Sequence, residues 1–197
     1  MEQVDKIKLA VFISGRGSNM QALIDSCAKA DFPAEIVCVL SNKADAAGLQ
    51  RASDAGIATE VVSHKDYDSK AGFEQAMLDR LSDYNVNLIC LAGFMRILSA
   101  DFIAQWPEKI INIHPSLLPK HKGLDTHKRA IEAGDTESGC TVHYVVPEMD
   151  SGPIIVQKSV SIEDGETEDS LAAKVLVQEH LAYPEAVSMI AKGLAKR

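Results

Sequence analysis

The stretch KLAVFISGRGSNMQALI, residues 8–24, sets the fold. Residues 8–13 are an apolar run of strand type, and the residues after Asn19 read as helix. Gly15 and Gly17 fall where the one turns into the other. A small-residue loop feeding a helix N-terminus leaves backbone N–H groups facing outward, which suits an anion, and Ser18 or Asn19 stands where it can cap them. Met20 occupies the place of the third glycine of a dinucleotide fingerprint, and no Gly-Lys-Ser/Thr of a P-loop follows. Two readings stay open for this loop, a phosphate cradle and a structural tight turn.

Outward from this unit, strand-type runs recur at 35–40, 59–62, 88–91 and 110–113, separated by segments of helix or turn character. The second run leads into Ser41, Asn42 and Lys43, with no acid placed to meet a ribose. Between the third and fourth runs, Phe73, Met77, Leu81 and Tyr84 recur at helical spacing on one face. Short strands alternating with amphipathic helices predict a doubly wound, mostly parallel, Rossmann-like α/β sheet, with ligands at the carboxyl ends of its strands. After Pro119 the pattern changes. GCTVHYVV and GPIIVQKSV are β-rich, with the turn PEMDSG between them and no room for a helix. They predict an antiparallel pair at the edge of the sheet near the C-terminus. A last helix is expected to start near Thr167 and to be kinked or divided by Pro184 before Gly193.

A chain of 197 residues, 46% apolar, predicts one globular domain over 1–197. Its 20 Lys and Arg against 28 Asp and Glu give a net charge of -8, which argues against nucleic-acid and membrane-surface partners and requires any anion to be met locally. Cys27, Cys38, Cys90 and Cys140 have no C-x-x-C spacing and read as reduced, mostly buried thiols in a cytoplasmic protein. The opening residues carry no leader pattern, no apolar run is long enough for a membrane span, and the six histidines have no metal-ligand spacing, so no metal is expected.

The run at 110–113 ends in NIHPSLLP. Residues two apart on a strand share a face, so Asn112 and His114 point one way while Ile111 and Ile113 point the other. Pro115 biases His114 to extended backbone, carrying the imidazole out at the strand's carboxyl end. An amide that donates without titrating, beside an imidazole that gives or takes a proton near neutrality, suits a carbonyl passing through an oxyanion. The alternative is a satisfied polar pair at a strand end. No G-x-S-x-G elbow surrounds Ser116, so no covalent nucleophile is read. Asp150, in PEMDSGPI, could orient the histidine and favour its charged form, and it is equally at home as an ordinary turn residue. The loop 115–125, with two prolines and a glycine, is long enough to suggest a role in function. On the last helix Leu171, Val175, Ala182, Ala186 and Met189 form an apolar stripe. Glu179 falls on this stripe, where a carboxylate needs a partner or a path to water.

SGRGSN, SNKADAAGL, AGFMRIL, NIHPSLLPK, GCTVHYV, MDSGPII and VQEHLAYP stand in the order found in the folate-dependent formyltransferase family, which the chain resembles over nearly its whole length. SG-x-GSN and QEH are similar to the glycinamide ribonucleotide branch in particular. The resemblance implies transfer of the formyl group of 10-formyltetrahydrofolate to the amine of glycinamide ribonucleotide, in purine synthesis, without a metal. It implies Asn112, His114 and Asp150 as the catalytic trio, and Gly17, Ser18 and Asn19 as the substrate-phosphate loop, with Glu179 on the sugar or glycinamide part. Met95, Arg96, Ile97 and Leu98, together with Val146, Pro147, Glu148 and Met149, would enclose the folate head. Lys70 would lie near its tail, and Thr141 and His143 near the reaction centre. The N-terminal half would serve the nucleotide and the C-terminal half the folate, in a monomer or a homodimer. His121, Lys122 and Asp125 depart from the family's usual loop. Family members that act on tRNA or hydrolyse the donor carry a further domain, for which 197 residues leave no room. A hydrolytic deformylase-like enzyme and a non-catalytic nucleotide-binding protein are the rival readings.

Overall fold

The computed structural model describes residues 6–195; positions 1–5, which the leader reading began from, lie outside the described residues. The expected strands all form: β1 (Ile7–Ile13), β2 (Ala34–Ser41), β3 (Ala58–Val61), β4 (Leu88–Leu91) and β5 (Ile110–His114). The first helix is α1 (Ser18–Cys27) and the second α2 (Ala47–Asp54). They are followed by α3 (Lys70–Leu81), α4 (Ala100–Ala104) and α5 (Thr126–Glu132). Then come β6 (Glu137–Tyr144), β7 (Ile154–Ser161) and the long α6 (Glu168–Ala191). The seven strands lie in the order β3-β2-β1-β4-β5-β6-β7. Pairs from β3 through β5 are parallel, while β5–β6 and β6–β7 are antiparallel.

Strand alternation divides the core in two. Leu9, Val11, Ile13, Ile111 and Ile113 pack on one face with α1, α2, α5 and α6, while Ala10, Phe12, Ile89 and Ile110 pack on the other with Phe73, Met77 and Phe102 of α3 and α4. Phe73, Met77 and Leu81 are buried as their spacing requires; Tyr84 lies just beyond α3 in a 3-10 turn, where its hydroxyl donates to Glu60 Oε1 at 2.8 Å. The order reverses between β1 and β4, and a doubly wound sheet opens its ligand crevice at such a reversal.

Thr167 caps α6 through a reciprocal capping box with Ser170. Pro184 does not divide the last helix, because α6 runs through it. A proline inside a helix costs about 3 kcal/mol. Here Ala182, Tyr183, Ala186 and Val187 around it are fully buried, and the Tyr183 hydroxyl donates to the Leu91 carbonyl at 2.8 Å. This packing offsets the lost backbone bond. All four cysteines are free, Cys27 partly exposed and the others buried, and burial raises the thiols of Cys38 and Cys140 to about 12. No helix among the described residues is long and apolar enough to cross a membrane.

Candidate active site

The glycine loop sits at the carboxyl end of β1. Gly17, not Ser18 or Asn19, is the N-cap of α1, with φ 72, a left-handed value that a side chain disfavours. That corrects the expected capping role, since no side chain caps this helix and its first amides stay available to a ligand. Gly48 of α2 supports the loop from behind. Its N–H donates to the Gly15 carbonyl at 3.0 Å, and a Cβ there would come within 2.5 Å of Ile13 and 3.2 Å of the Gly17 Cα. The Asn19 amide instead donates to Glu179 Oε2 at 2.6 Å, tying α1 to α6. Burial pushes the Glu179 carboxyl above its usual range, and the Asn19 bond opposes the shift.

On β5, Asn112 and His114 share a face as read. The antiparallel register sets Asn112 opposite His143 and His114 opposite Thr141, so β6 adds two polar side chains to that face. The hairpin from β6 to β7 brings Asp150 to the same place. Its Oδ2 lies 3.5 Å from His114 Nδ1 and its Oδ1 lies 3.7 Å from His143 Nε2. The juxtaposition of Asp150 with His114, invisible in sequence, is therefore made. Asp150 has φ 50 and accepts the Gly123 N–H at 2.9 Å, so the loop 115–125 and the hairpin hold each other.

The ring nitrogens can be assigned from their partners, because a carbonyl only accepts. His114 Nε2 lies 3.0 Å from the His121 carbonyl and carries a proton toward it, which leaves Nδ1 facing Asp150. His143 Nδ1 lies 2.9 Å from the Tyr144 carbonyl and carries the proton there, so its Nε2 is an acceptor for the Asn112 amide at 3.4 Å. Burial pushes the His143 imidazole below its usual value, which keeps that acceptor available. This fixes the direction of the Asn112 amide. That bond has no local sign in the sequence, although the two-residue spacing of Thr141 and His143 repeats that of Asn112 and His114.

The loop 115–125 is anchored to the sheet. Buried Thr141 donates to the Ser116 carbonyl at 2.7 Å and accepts from Leu118 N–H at 3.1 Å; Gln157 Nε2 donates to Thr141 and to the Leu118 carbonyl, both at 2.9 Å. The Leu118–Pro119 bond is cis. The divergent positions have partners of their own. His121 pairs with Asp135 at 2.7 Å, Lys122 donates to Ser151 Oγ at 2.6 Å, and Asp125 is the left-handed N-cap of α5.

Of the residues assigned to the folate, Met95, Arg96 and Ile97 are exposed after β4, and Leu98 is buried. Val146 is partly exposed, and Pro147, Glu148 and Met149 are exposed in the β6–β7 hairpin. Met95 and Ile97 after β4, Leu124 in the loop before α5 and Met149 in the β6–β7 hairpin thus present large apolar side chains to solvent. Exposed apolar side chains of this kind suit a flat, largely apolar ring system. Lys70, exposed, opens α3 at the same edge; among the described residues no side-chain hydrogen bond or ion pair joins it to the site.

A doubly wound sheet that gathers an amide, an imidazole and a carboxylate on one face, with a glycine loop opening α1, has the features of a group-transfer enzyme. The chain belongs to the formyl transferase family, whose model matches residues 7–187. It is 44% identical over 190 residues to the phosphoribosylglycinamide formyltransferase of Escherichia coli, covering 96% of this chain and 90% of that one. It is 50% identical to the trifunctional purine biosynthetic protein adenosine-3 of Gallus gallus, of whose length it spans 19%. The crystal structure of phosphoribosylglycinamide formyltransferase from Brucella melitensis superposes with a TM-score of 0.92 at 50% identity, covering 97% of this chain and 98% of the other.

Proposed function

We propose that this chain transfers the formyl group of 10-formyltetrahydrofolate to the primary amine of glycinamide ribonucleotide, a step of purine synthesis. The observation that carries the reading is the placement of His114, Asp150 and Asn112 on one face at the carboxyl edge of the sheet, with Asp150 3.5 Å from the His114 ring. Family membership and the transferase relatives support transfer over hydrolysis or bare nucleotide binding.

In this reading the neutral amine attacks the formyl carbon, forming a C–N bond and a tetrahedral oxyanion. Asn112 Nδ2 and His114 Nδ1 are its donors. The His121 carbonyl holds the far side of the imidazole, so Nδ1 is the working atom, and a proton there lies between Asp150 and the oxyanion. Collapse of the intermediate breaks the bond to N10. The proton lost by the amine passes through Asp150 and His114 to the departing nitrogen, leaving the protein unchanged. Backbone N–H groups of Gly17, Ser18 and Asn19 hold the phosphate and Glu179 the sugar or glycinamide part. Met95, Arg96, Ile97 and Leu98 form one wall for the folate, Val146, Pro147, Glu148 and Met149 the other, and Lys70 meets its acidic tail. The free thiols fit a reducing, cytoplasmic setting, in a monomer or homodimer.

Incubating the purified chain with 10-formyltetrahydrofolate, with and without glycinamide ribonucleotide, tests the proposal. The expected result is tetrahydrofolate release only when the acceptor is present. Formate release without acceptor would mean hydrolysis, and no turnover would mean a binding protein.

A further inference from the structure

The crevice where the strand order reverses is bridged by a hydrogen-bond chain through side chains that the proposed chemistry leaves unused. Ser14, the first residue beyond β1, donates its hydroxyl proton to Asn42 Oδ1 at 2.5 Å, and Asn42 is the first residue beyond β2. The same Ser14 oxygen accepts the backbone N–H of Met95 at 2.8 Å, across the reversal, on the loop that follows β4. Both side chains are buried, Ser14 5% exposed and Asn42 2%. A hydroxyl has one proton and a freely turning rotor. Asn42 takes that proton, which turns the lone pairs of Ser14 toward Met95.

The far end of the same loop is held as well. Glu74 of α3, 5% exposed, accepts the Ser99 N–H at 2.7 Å through Oε1 and the Ser99 hydroxyl through Oε2. Ser99 in turn caps α4. Between these two anchors Met95 is 66% exposed and Ile97 69% exposed. The backbone is fixed while its apolar side chains are held out toward solvent, as a preorganised wall for a ligand requires.

We propose that Ser14, oriented by Asn42, is a positioning residue for the formyl donor. It sets the backbone at Met95, and with it the donor-binding wall, from the strand that also carries the phosphate loop at Gly15 to Asn19. The inference rests on the reading of Met95 to Leu98 as donor-binding.

Donor and acceptor KM, kcat, donor binding by calorimetry and thermal midpoint are to be measured for wild type, Ser14→Ala, Asn42→Leu and the double variant. One lost hydrogen bond at the wall predicts a rise of about five- to tenfold in donor KM and donor Kd for Ser14→Ala. Acceptor KM stays within about twofold on the same grounds. Asn42→Leu, of similar volume and with the Ser14 hydroxyl intact, shifts donor affinity in the same direction. The double variant is no worse than Ser14→Ala, because the two act through one bond chain. Donor affinity unchanged in a folded Ser14→Ala, both KM values rising together, or additive losses would each overturn the proposal. If Ser14→Ala does not fold, Asn42→Leu decides: weaker donor binding with acceptor KM unchanged supports the proposal, and unchanged donor binding or both KM values rising together overturns it. Wild type that binds donor without transferring it would remove the proposed function and leave the anchor testable by calorimetry; wild type that binds no donor would remove both.

Discussion

His114 is gripped on one side and open on the other. Its Nε2 is anchored by the His121 carbonyl at 3.0 Å, while Nδ1 stands 3.5 Å from Asp150, a separation longer than a direct hydrogen bond. Removing one donor to a developing oxyanion typically costs about 3–4 kcal/mol. His114→Asn is therefore expected to lower kcat by about a hundred- to thousandfold, and Asp150→Asn, which interrupts the proton relay, by about a hundredfold or more, each with the far-UV circular dichroism of wild type. A folded variant of either kind with near-normal turnover would remove the residue from the mechanism. His143 provides an independent check. Burial lowers its folded pKa below the unfolded value of about 6.5, so its NMR titration midpoint should lie below that of a free histidine. As pH falls through that unfolded value, the unfolded chain takes up a proton that the folded ring refuses. Stability is then lost with acid until the folded pKa is reached. Urea midpoints at pH 7 and pH 5 should converge more closely in His143→Gln than in wild type.

At the scale of elements, what a run of residues states about itself was legible and what two distant runs do together was not. The five parallel strands and the face Phe73, Met77 and Leu81 follow from apolar spacing, and the Thr167 start of α6 from its cap residue. The start of α1 was misread because Gly17 takes the capping place by its left-handed backbone, a property the neighbouring Ser18 and Asn19 concealed. That α6 continues through Pro184 has no local sign, because the cost of the proline is local while the burial of Tyr183 and Val187 that offsets it is tertiary. Within the site, the Asn112 and His114 pair could be seen in the alternation of one strand. Asp150 could only be suspected, since its approach depends on the β5–β6 register and the hairpin beyond. The support of the glycine loop by Gly48 had no local signal at all. Gly48→Ala places a Cβ 2.5 Å from Ile13 and 3.1 Å from the Gly15 carbonyl. It should raise acceptor KM severalfold and leave donor KM near wild type, as measured by steady-state kinetics; equal change in both would show general loosening instead.

For the molecule as a whole, the net charge of -8 opposes the approach of the anionic substrates of the proposed reaction. Arg16 and Arg96 are exposed on the loops after β1 and β4, and Lys70 is exposed at the start of α3, all at the carboxyl edge. If these cations govern encounter, the acceptor's association rate, followed by stopped flow, falls as ionic strength rises; if the global field governs, it increases. A rate indifferent to salt would remove electrostatic steering altogether.

Asn112 faces His143 and His114 faces Thr141 only because β5 and β6 are matched in one particular frame. Displacing β6 by a single residue would send both partners through to the opposite layer of the protein and bring Val142 and Cys140 into their places. Lengthening the chain by one residue within Glu137–Tyr144 should thus abolish activity even where folding survives. An equal addition in the turn before β6 changes no pairing and should pass unnoticed. The chemistry is written in reading-frame terms, tolerant of drift in how the chain arrives at this strand and intolerant of any change in where the strand begins to count.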